Sequence, residues 1–122
     1  MRVIPTWAHG LADYVIGFFL LVAPDLLKLF HSEQVQWVPR HFGVAILFLA
    51  FASRNEVALF KLISMRAHLV IDYILGISLA ISPWVLGFYK IVWAPHLLCG
   101  VLIFALALCT KKESETAYAE PT

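Results

Sequence analysis

The chain consists mostly of long apolar stretches separated by short polar breaks. Four stretches can be drawn, over about residues 5–23, 38–53, 66–82 and 92–109. Each lies near the lower end of the roughly 17 to 25 residues that an α-helix needs to cross the hydrocarbon core of a bilayer. The second is the least regular, because Arg40 and Arg54 bracket only thirteen uncharged residues. The pattern predicts an all-α fold, a transmembrane bundle of four helices.

The amino-acid composition also indicates a membrane protein. Of the 122 residues, 61% are hydrophobic and 14% are charged, with a mean hydropathy of +0.84, whereas about a quarter of the residues of a soluble domain are charged. The lipid bilayer is therefore the expected partner, and no basic cluster indicates nucleic acid. The sequence contains no recognisable nucleophile motif, phosphate loop or nucleotide fingerprint, which argues against hydrolytic and nucleotide chemistry. We expect a protein without catalytic activity.

An internal repeat organises the chain. Residues 8–27 match residues 67–86 at an offset of 59, without a gap. Residues 37–56 resemble residues 93–113 when one residue is inserted before Gly100. Each repeat therefore contains a pair of helices.

The repeat predicts the domain organisation. We expect a first two-helix repeat over residues 1–60, a second over residues 61–110, and a disordered cytoplasmic tail over residues 111–122. Because each repeat crosses the membrane twice, the two tandem helical hairpins should be related by a pseudo-twofold axis along the membrane normal.

The distribution of basic residues predicts the orientation. By the positive-inside rule, the side of the membrane with more lysine and arginine is cytoplasmic. Six basic residues fall on the side of the termini, namely Arg2, Arg54, Lys61, Arg66, Lys111 and Lys112, and three fall on the other side, namely Lys28, Arg40 and Lys90. Both termini should be cytoplasmic.

Two prolines occupy matching positions near the ends of helices one and three. Pro24 and Pro83 restrain the preceding residue and cannot donate a backbone hydrogen bond, so we expect both helices to end there. Trp84 follows Pro83 directly. Tryptophan is enriched at membrane interfaces, which indicates that this turn lies at the outer surface.

These residues resemble a known family. The stretch SPWVLGF from Ser82, the preceding DY-x-x-G, and the two-helix unit are similar to the SPW repeat of small bacterial integral membrane proteins. The name-giving motif is complete only in the second repeat, at Ser82, Pro83 and Trp84, because the first repeat reads Ala-Pro-Asp at residues 23–25. The resemblance implies a multi-pass protein of the bacterial inner membrane without an established activity.

Helices one and three carry a polar stripe. Histidine, aspartate and glycine recur every four residues in both, which places each set on one helix face. The stripe consists of His9, Asp13 and Gly17 in the first repeat and His68, Asp72 and Gly76 in the second. Ionisable groups within a membrane are costly unless they face protein or water. The stripe should therefore face the bundle interior, with Gly17 and Gly76 allowing helices one and three to approach.

The polar stripe has four alternative roles. The first is a structural clasp, in which the histidines and aspartates bond one another and Tyr14 and Tyr73 add hydroxyl groups. The second is a divalent metal site of the zinc type, with His9, Asp13, His68 and Asp72 as candidate ligands. The third is haem bound by His9 and His68 as axial ligands. The fourth is a proton or ion conductor. The clasp is the leading hypothesis and makes the protein structural or accessory.

Helices two and four carry small residues seven positions apart. These are Gly43 with Ala50 and Gly100 with Ala107, which suits close helix packing. We expect packing within the bundle, with a homo-oligomer or a membrane protein partner as the alternative use of these faces. His96, near the start of helix four, is interpreted as an interfacial residue that stays hydrated.

Overall fold

The chain folds into a bundle of α-helices, as the apolar pattern predicts. The computed structural model describes residues 2–30 and 32–112. Its four helices are α1 (Thr6–Leu26), α2 (Glu33–Ala52), α3 (Met65–Val85) and α4 (Ala94–Cys109). The all-α architecture is confirmed. The predicted disordered tail lies almost wholly outside the described residues.

Within the described part of the chain, three helices are long and apolar enough to cross a membrane, namely α1, α2 and α3. The sequence pattern singled out α2 as the weakest span, but α4 is the shortest helix. With 16 residues it is about 24 Å long. α2 gains length because Ser32 caps it, accepting a hydrogen bond from the Val35 amide. Arg40 then lies in the second turn of α2, where it pairs with Asp25 at 3.0 Å.

The surface of the bundle is more apolar than parts of its interior. Val15, Phe18, Ile74, Phe48 and Val101 are all more than half exposed. In a soluble protein such side chains would be expected inside. Their outward position, together with a polar cluster inside, fits helices whose solvent is lipid.

Glycines bring the helices of each hairpin into close contact. A Cβ added at Gly43 would lie 2.7 Å from the Gly17 carbonyl oxygen, and one added at Gly100 would lie 2.5 Å from the Gly76 carbonyl oxygen. The expectation that Gly17 and Gly76 join α1 to α3 is therefore wrong. They pack α1 on α2 and α3 on α4, because the neighbouring helix within each hairpin presents the matching glycine. Gly43 and Gly100 are buried against the neighbouring helix of their own hairpin.

The two hairpins share an apolar core. Buried side chains from all four helices form it, namely Ile16, Leu20, Ile46, Leu79 and Ile103. A second buried group closes one end of the bundle, where Leu29 and Phe88 from the two interhelical turns contact Val35. In this core the hairpins therefore meet through side chains, whereas the helices within each hairpin meet through backbone at their glycines.

The segments that precede α1 and α3 link the hairpins at the opposite end. The Ile4 amide donates to the carbonyl of Cys109, the last residue of α4, at 2.9 Å. The Ile63 amide donates to the carbonyl of Ala52, the last residue of α2, at 2.7 Å. The start of each hairpin thus lies against the end of the other. This exchange brings the residue after α2 next to α3, and the residue after α4 next to α1.

The predicted helix ends at Pro24 and Pro83 are not observed. α1 continues to Leu26 and α3 to Val85, with both prolines inside the last turn. A proline there removes only one backbone donor. Both helices end where the next residues take a left-handed conformation, at Lys28 with φ of 55° and Gly87 with φ of 82°. In α1 the Leu29 amide then donates to the Pro24 carbonyl at 2.8 Å, as in a Schellman motif.

The serine before Pro83 compensates for the missing donor. In an α-helix the amide at position 83 would bond the carbonyl of Leu79, but proline has no N–H. The Ser82 hydroxyl donates to that same Leu79 carbonyl at 2.8 Å. The Ser82 hydroxyl therefore satisfies the carbonyl that Pro83 leaves without its usual backbone donor. Ala23, at the aligned position in α1, has no hydroxyl that could do so.

The helix ends generate a first prediction. Lys28→Gly should raise the free energy of unfolding by about 1 kcal/mol, because a residue with a Cβ is strained at positive φ. Gly87→Ala should lower it by a similar amount, since nothing lies within 4 Å of the added Cβ and only the backbone conformation opposes it. Unfolding by SDS in mixed micelles measures both. Equal stabilities of the three proteins would contradict this assignment.

The serine and proline pair generates a second prediction. Ser82→Ala should lower the free energy of unfolding by about 0.5–1.5 kcal/mol, because the Leu79 carbonyl loses its donor in an apolar surrounding. Ser78→Ala is the matched control on the same helix and should change it little. Ala23→Ser should be neutral or stabilising. If Ser78→Ala lowered the free energy of unfolding as much as Ser82→Ala, the Ser82 hydroxyl would have no special role at the Leu79 carbonyl.

Candidate functional site

Two histidines and two aspartates meet at the centre of the bundle, near the end where the hairpin starts and ends exchange. His9 and Asp13 come from α1, and His68 and Asp72 come from α3. Each side chain is at most 1% exposed. Spacing of four residues places each pair on one face of its helix, and the two faces lie against each other. We call these four residues the His/Asp cluster.

Each imidazole contacts both carboxylates. His9 Nε2 lies 2.8 Å from Asp72 Oδ2 and 3.2 Å from Asp13 Oδ2. His68 Nε2 lies 2.9 Å from Asp13 Oδ2 and 3.1 Å from Asp72 Oδ2. The shorter contact of each histidine is to the aspartate of the opposite helix. The cluster therefore joins the first hairpin to the second.

Two hydroxyl groups, which our interpretation of the sequence missed, complete the cluster. His9 Nδ1 is 2.7 Å from Thr110 Oγ1, and His68 Nδ1 is hydrogen bonded to Ser53 Oγ. Ser53 and Thr110 are the C-cap residues of α2 and α4. They occupy matching positions in the aligned repeats, so a recurring hydroxyl at the end of each second helix was the available signal.

The hydroxyls determine how the imidazoles can bond. Ser53 donates its hydroxyl hydrogen to the Leu49 carbonyl, and Thr110 donates its own to the Leu106 carbonyl. Each oxygen must then accept from the adjacent Nδ1–H. In a neutral imidazole, Nε2 is consequently an acceptor that faces carboxylate oxygens. Acceptor atoms would then face one another in the cluster. A second proton on each ring, or a cation bound between the two Nε2 and the two Oδ2 atoms, would remove this repulsion.

The outer carboxylate oxygens are left without partners. Asp13 Oδ1 and Asp72 Oδ1 are buried and accept no hydrogen bond from the described residues. A buried acceptor without a donor costs free energy. The hydrogen bonds of the cluster therefore do not satisfy all of its polar atoms.

The tyrosines do not join the cluster, although the predicted clasp included their hydroxyl groups. The Tyr14 hydroxyl donates to the Val57 carbonyl at 2.8 Å. The Tyr73 hydroxyl accepts from the Arg2 guanidinium at 3.0 Å and donates to the Ala107 carbonyl at 3.3 Å. Both rings lie beside the inward face and not on it, because they follow an aspartate by one position, which is about 100° around a helix.

His96 is buried, which the interpretation as a hydrated interfacial residue did not anticipate. It is 2% exposed and packs against Phe88, with ring centroids 5.1 Å apart. Neither ring nitrogen has a hydrogen-bond partner among the described residues. Trp84 does lie at the surface, 6.1 Å from the ring of Trp93. Its predicted place in an interfacial belt stays a prediction.

The geometry of the cluster argues against two of the alternative roles, haem binding and proton or ion conduction. The rings of His9 and His68 have centroids only 5.2 Å apart and share both aspartates as neighbours. A porphyrin between them would have to displace both carboxylates, so the arrangement does not fit haem. Next to the cluster lies the apolar core that includes Ile16 and Leu79. Aliphatic side chains cannot relay a proton, so this core does not favour conduction.

The comparisons with known proteins concern the whole bundle. A family model of the SPW repeat domain matches residues 6–110. No curated protein and no solved structure matches the chain. The matched region includes all four helices and every residue of the His/Asp cluster. The chain therefore belongs to the family of SPW repeat membrane proteins.

Proposed function

We propose that this protein is a noncatalytic, structural or accessory membrane protein in which the His/Asp cluster fastens two helical hairpins into one bundle. One observation carries the proposal. Each imidazole makes its shorter contact to the carboxylate of the opposite helix, His9 to Asp72 and His68 to Asp13.

The need for a fastening follows from the environment. Burial of apolar surface does not drive helices together in lipid, because lipid tails are as apolar as the side chains. Within each hairpin, close glycine contacts hold the pair, as between Gly17 and Gly43. Between the hairpins, the described residues make no close glycine contact of this kind, and backbone hydrogen bonds link them only at the end where their starts and ends exchange. The buried polar contacts of the His/Asp cluster therefore determine how the two hairpins are positioned relative to each other.

The symmetry of the contacts supports a duplicated architecture. Aligned residues make equivalent contacts, because Thr110 bonds His9 as Ser53 bonds His68. We include in the proposal that the two repeats are related by a pseudo-twofold axis along the membrane normal. The His/Asp cluster lies on this axis, so a single cluster serves both repeats.

The proposed location is the bacterial inner membrane, with both termini cytoplasmic. The N-terminal segment, the α2–α3 connection and the end of α4 lie together at the end near the cluster. That end carries more basic residues, including Arg54, Lys61 and Lys111. The positive-inside rule assigns it to the cytoplasm.

The fastening role generates a third prediction. Asp72→Asn keeps the shape of the side chain but removes its charge, and should lower the free energy of unfolding by about 2–5 kcal/mol. Asp25→Asn is the matched control, because Asp25 is 65% exposed and the loss of its surface ion pair with Arg40 should cost less than about 1 kcal/mol. SDS unfolding in mixed micelles measures both. Equal effects of the two substitutions would sink the proposal.

The orientation generates a fourth prediction. A fluorescent protein fused after Thr122 should fluoresce, since it stays in the cytoplasm, and alkaline phosphatase fused there should be inactive. Alkaline phosphatase fused after Lys90 should be active, because this position lies in the α3–α4 turn at the opposite end. The reverse pattern would overturn the assigned topology but leave the fastening role intact.

A further inference from the structure

We infer that the His/Asp cluster binds one divalent transition metal ion of the zinc type, with His9, Asp13, His68 and Asp72 as its ligands. The inference rests on the proposed function, because the ion would be the means by which the cluster fastens the hairpins. The inference assigns a ligand to a site in which Asp13 Oδ1 and Asp72 Oδ1 are buried without a hydrogen-bond donor among the described residues.

The spacing of the inward atoms suits a single ion. One ligand atom from each of the four residues can be chosen so that all lie within 4.8 Å of one another. In a tetrahedral site with metal–ligand bonds of about 2.0–2.1 Å, neighbouring ligand atoms are about 3.3 Å apart. The Nε2 to Oδ2 distances are 2.8, 2.9, 3.1 and 3.2 Å. Small outward movements of these side chains would accommodate the ion.

The surrounding hydroxyls prepare both histidines as ligands. Because Ser53 and Thr110 accept from Nδ1–H, each Nε2 directs a lone pair toward the carboxylates in the neutral ring. Metal-bound histidines almost always donate their other N–H to an oxygen, which holds the ring orientation. Both histidines meet this condition, although the two hydroxyls come from different helices.

The aspartates provide a second, independent observation that points to a cation as the ligand. Asp13 Oδ1 and Asp72 Oδ1 are buried and accept no hydrogen bond from the described residues. A carboxylate that hydrogen bonds alone held in place would be expected to use both oxygens. A cation compensates such a carboxylate by charge, and the second oxygen is then available as an additional ligand.

Charge and ligand type select the class of ion. Two carboxylates and two neutral imidazoles carry a charge of −2, which a divalent ion cancels within an apolar core. Imidazole nitrogen favours zinc, copper, nickel and iron, whereas magnesium and calcium prefer sets of oxygen ligands. All four residues are at most 1% exposed, and four protein ligands leave no position for substrate. This is typical of a structural site, not of a catalytic one.

The direct test is cobalt titration of the full-length protein in detergent micelles, as our fifth prediction. Co²⁺ should bind with a stoichiometry of one per chain and give the intense visible absorption of tetrahedral coordination, and Zn²⁺ should displace it. Elemental analysis of protein purified with added Zn²⁺ should find one zinc per chain. Absence of binding by both methods would overturn the inference.

Matched variants identify the ligands. Asp13→Asn and Asp72→Asn should abolish the cobalt spectrum, whereas Asp25→Asn and His41→Gln, which alter exposed residues, should leave it unchanged. Thr110→Val and Ser53→Ala should weaken affinity about 10- to 100-fold without changing stoichiometry, because they remove only the partners of the histidines. If the aspartate variants fail to fold, the metal affinities of Thr110→Val and Ser53→Ala still test the assigned site. Unchanged affinity in both would contradict the assigned site.

The outcomes separate this inference from the proposed function. If no metal binds but Asp72→Asn still lowers stability far more than Asp25→Asn, the metal inference fails and the fastening role stands. If metal binds at one per chain but Asp72→Asn unfolds like Asp25→Asn, the ion site stands and the fastening role fails. If bound zinc stabilises the original chain and not the Asp72→Asn variant, both stand.

Discussion

The burial of four ionisable side chains in an apolar interior is the constraint on which the rest of this structure depends. An unpaired charge in such a place costs several kcal/mol, so His9, Asp13, His68 and Asp72 must compensate one another. They can do so only if α1 and α3 lie at the same depth with their polar faces opposed. The exchange of hairpin starts and ends meets this requirement, and it also delivers the hydroxyls of Ser53 and Thr110 to the outer side of each imidazole.

The bundle contains two kinds of helix contact, close packing at glycines and buried polar contacts. Within each hairpin, small residues allow backbones to approach closely, as Gly76 and Gly100 do, and dispersion forces act over a long seam. Between hairpins, buried polar groups of α1 and α3 contact one another, as His9 does Asp72 and His68 does Asp13. A protein of this size with lipid as its solvent uses both, because neither close packing nor polar bonding alone determines the arrangement of all four helices.

The SPW motif has a local physical meaning. Proline near the end of α3 removes one backbone donor, and the Ser82 hydroxyl replaces it at the Leu79 carbonyl. Pro83 lies in the last turn of α3, as Pro24 does in α1, and the left-handed residue Gly87 follows the end of the helix. In the first repeat Lys28 takes the same conformation at greater cost, since it carries a Cβ. The family motif thus describes a helix end, while the His/Asp cluster lies about three to four turns away along α3.

The sequence by itself determined the helical architecture and the polar stripe, because apolar length and spacing of four residues are properties of a single helix. Only the tertiary structure decided which surfaces meet. It paired Gly17 with Gly43 and not with Gly76, turned Tyr14 and Tyr73 away from the cluster, and carried Ser53 and Thr110 to the histidines. Those outcomes depend on how helices rotate and cross relative to one another, and residues far apart in the chain set that geometry jointly. The helix ends differed from expectation for a related reason, since the backbone conformations of Lys28 and Gly87, and not the prolines, terminate α1 and α3.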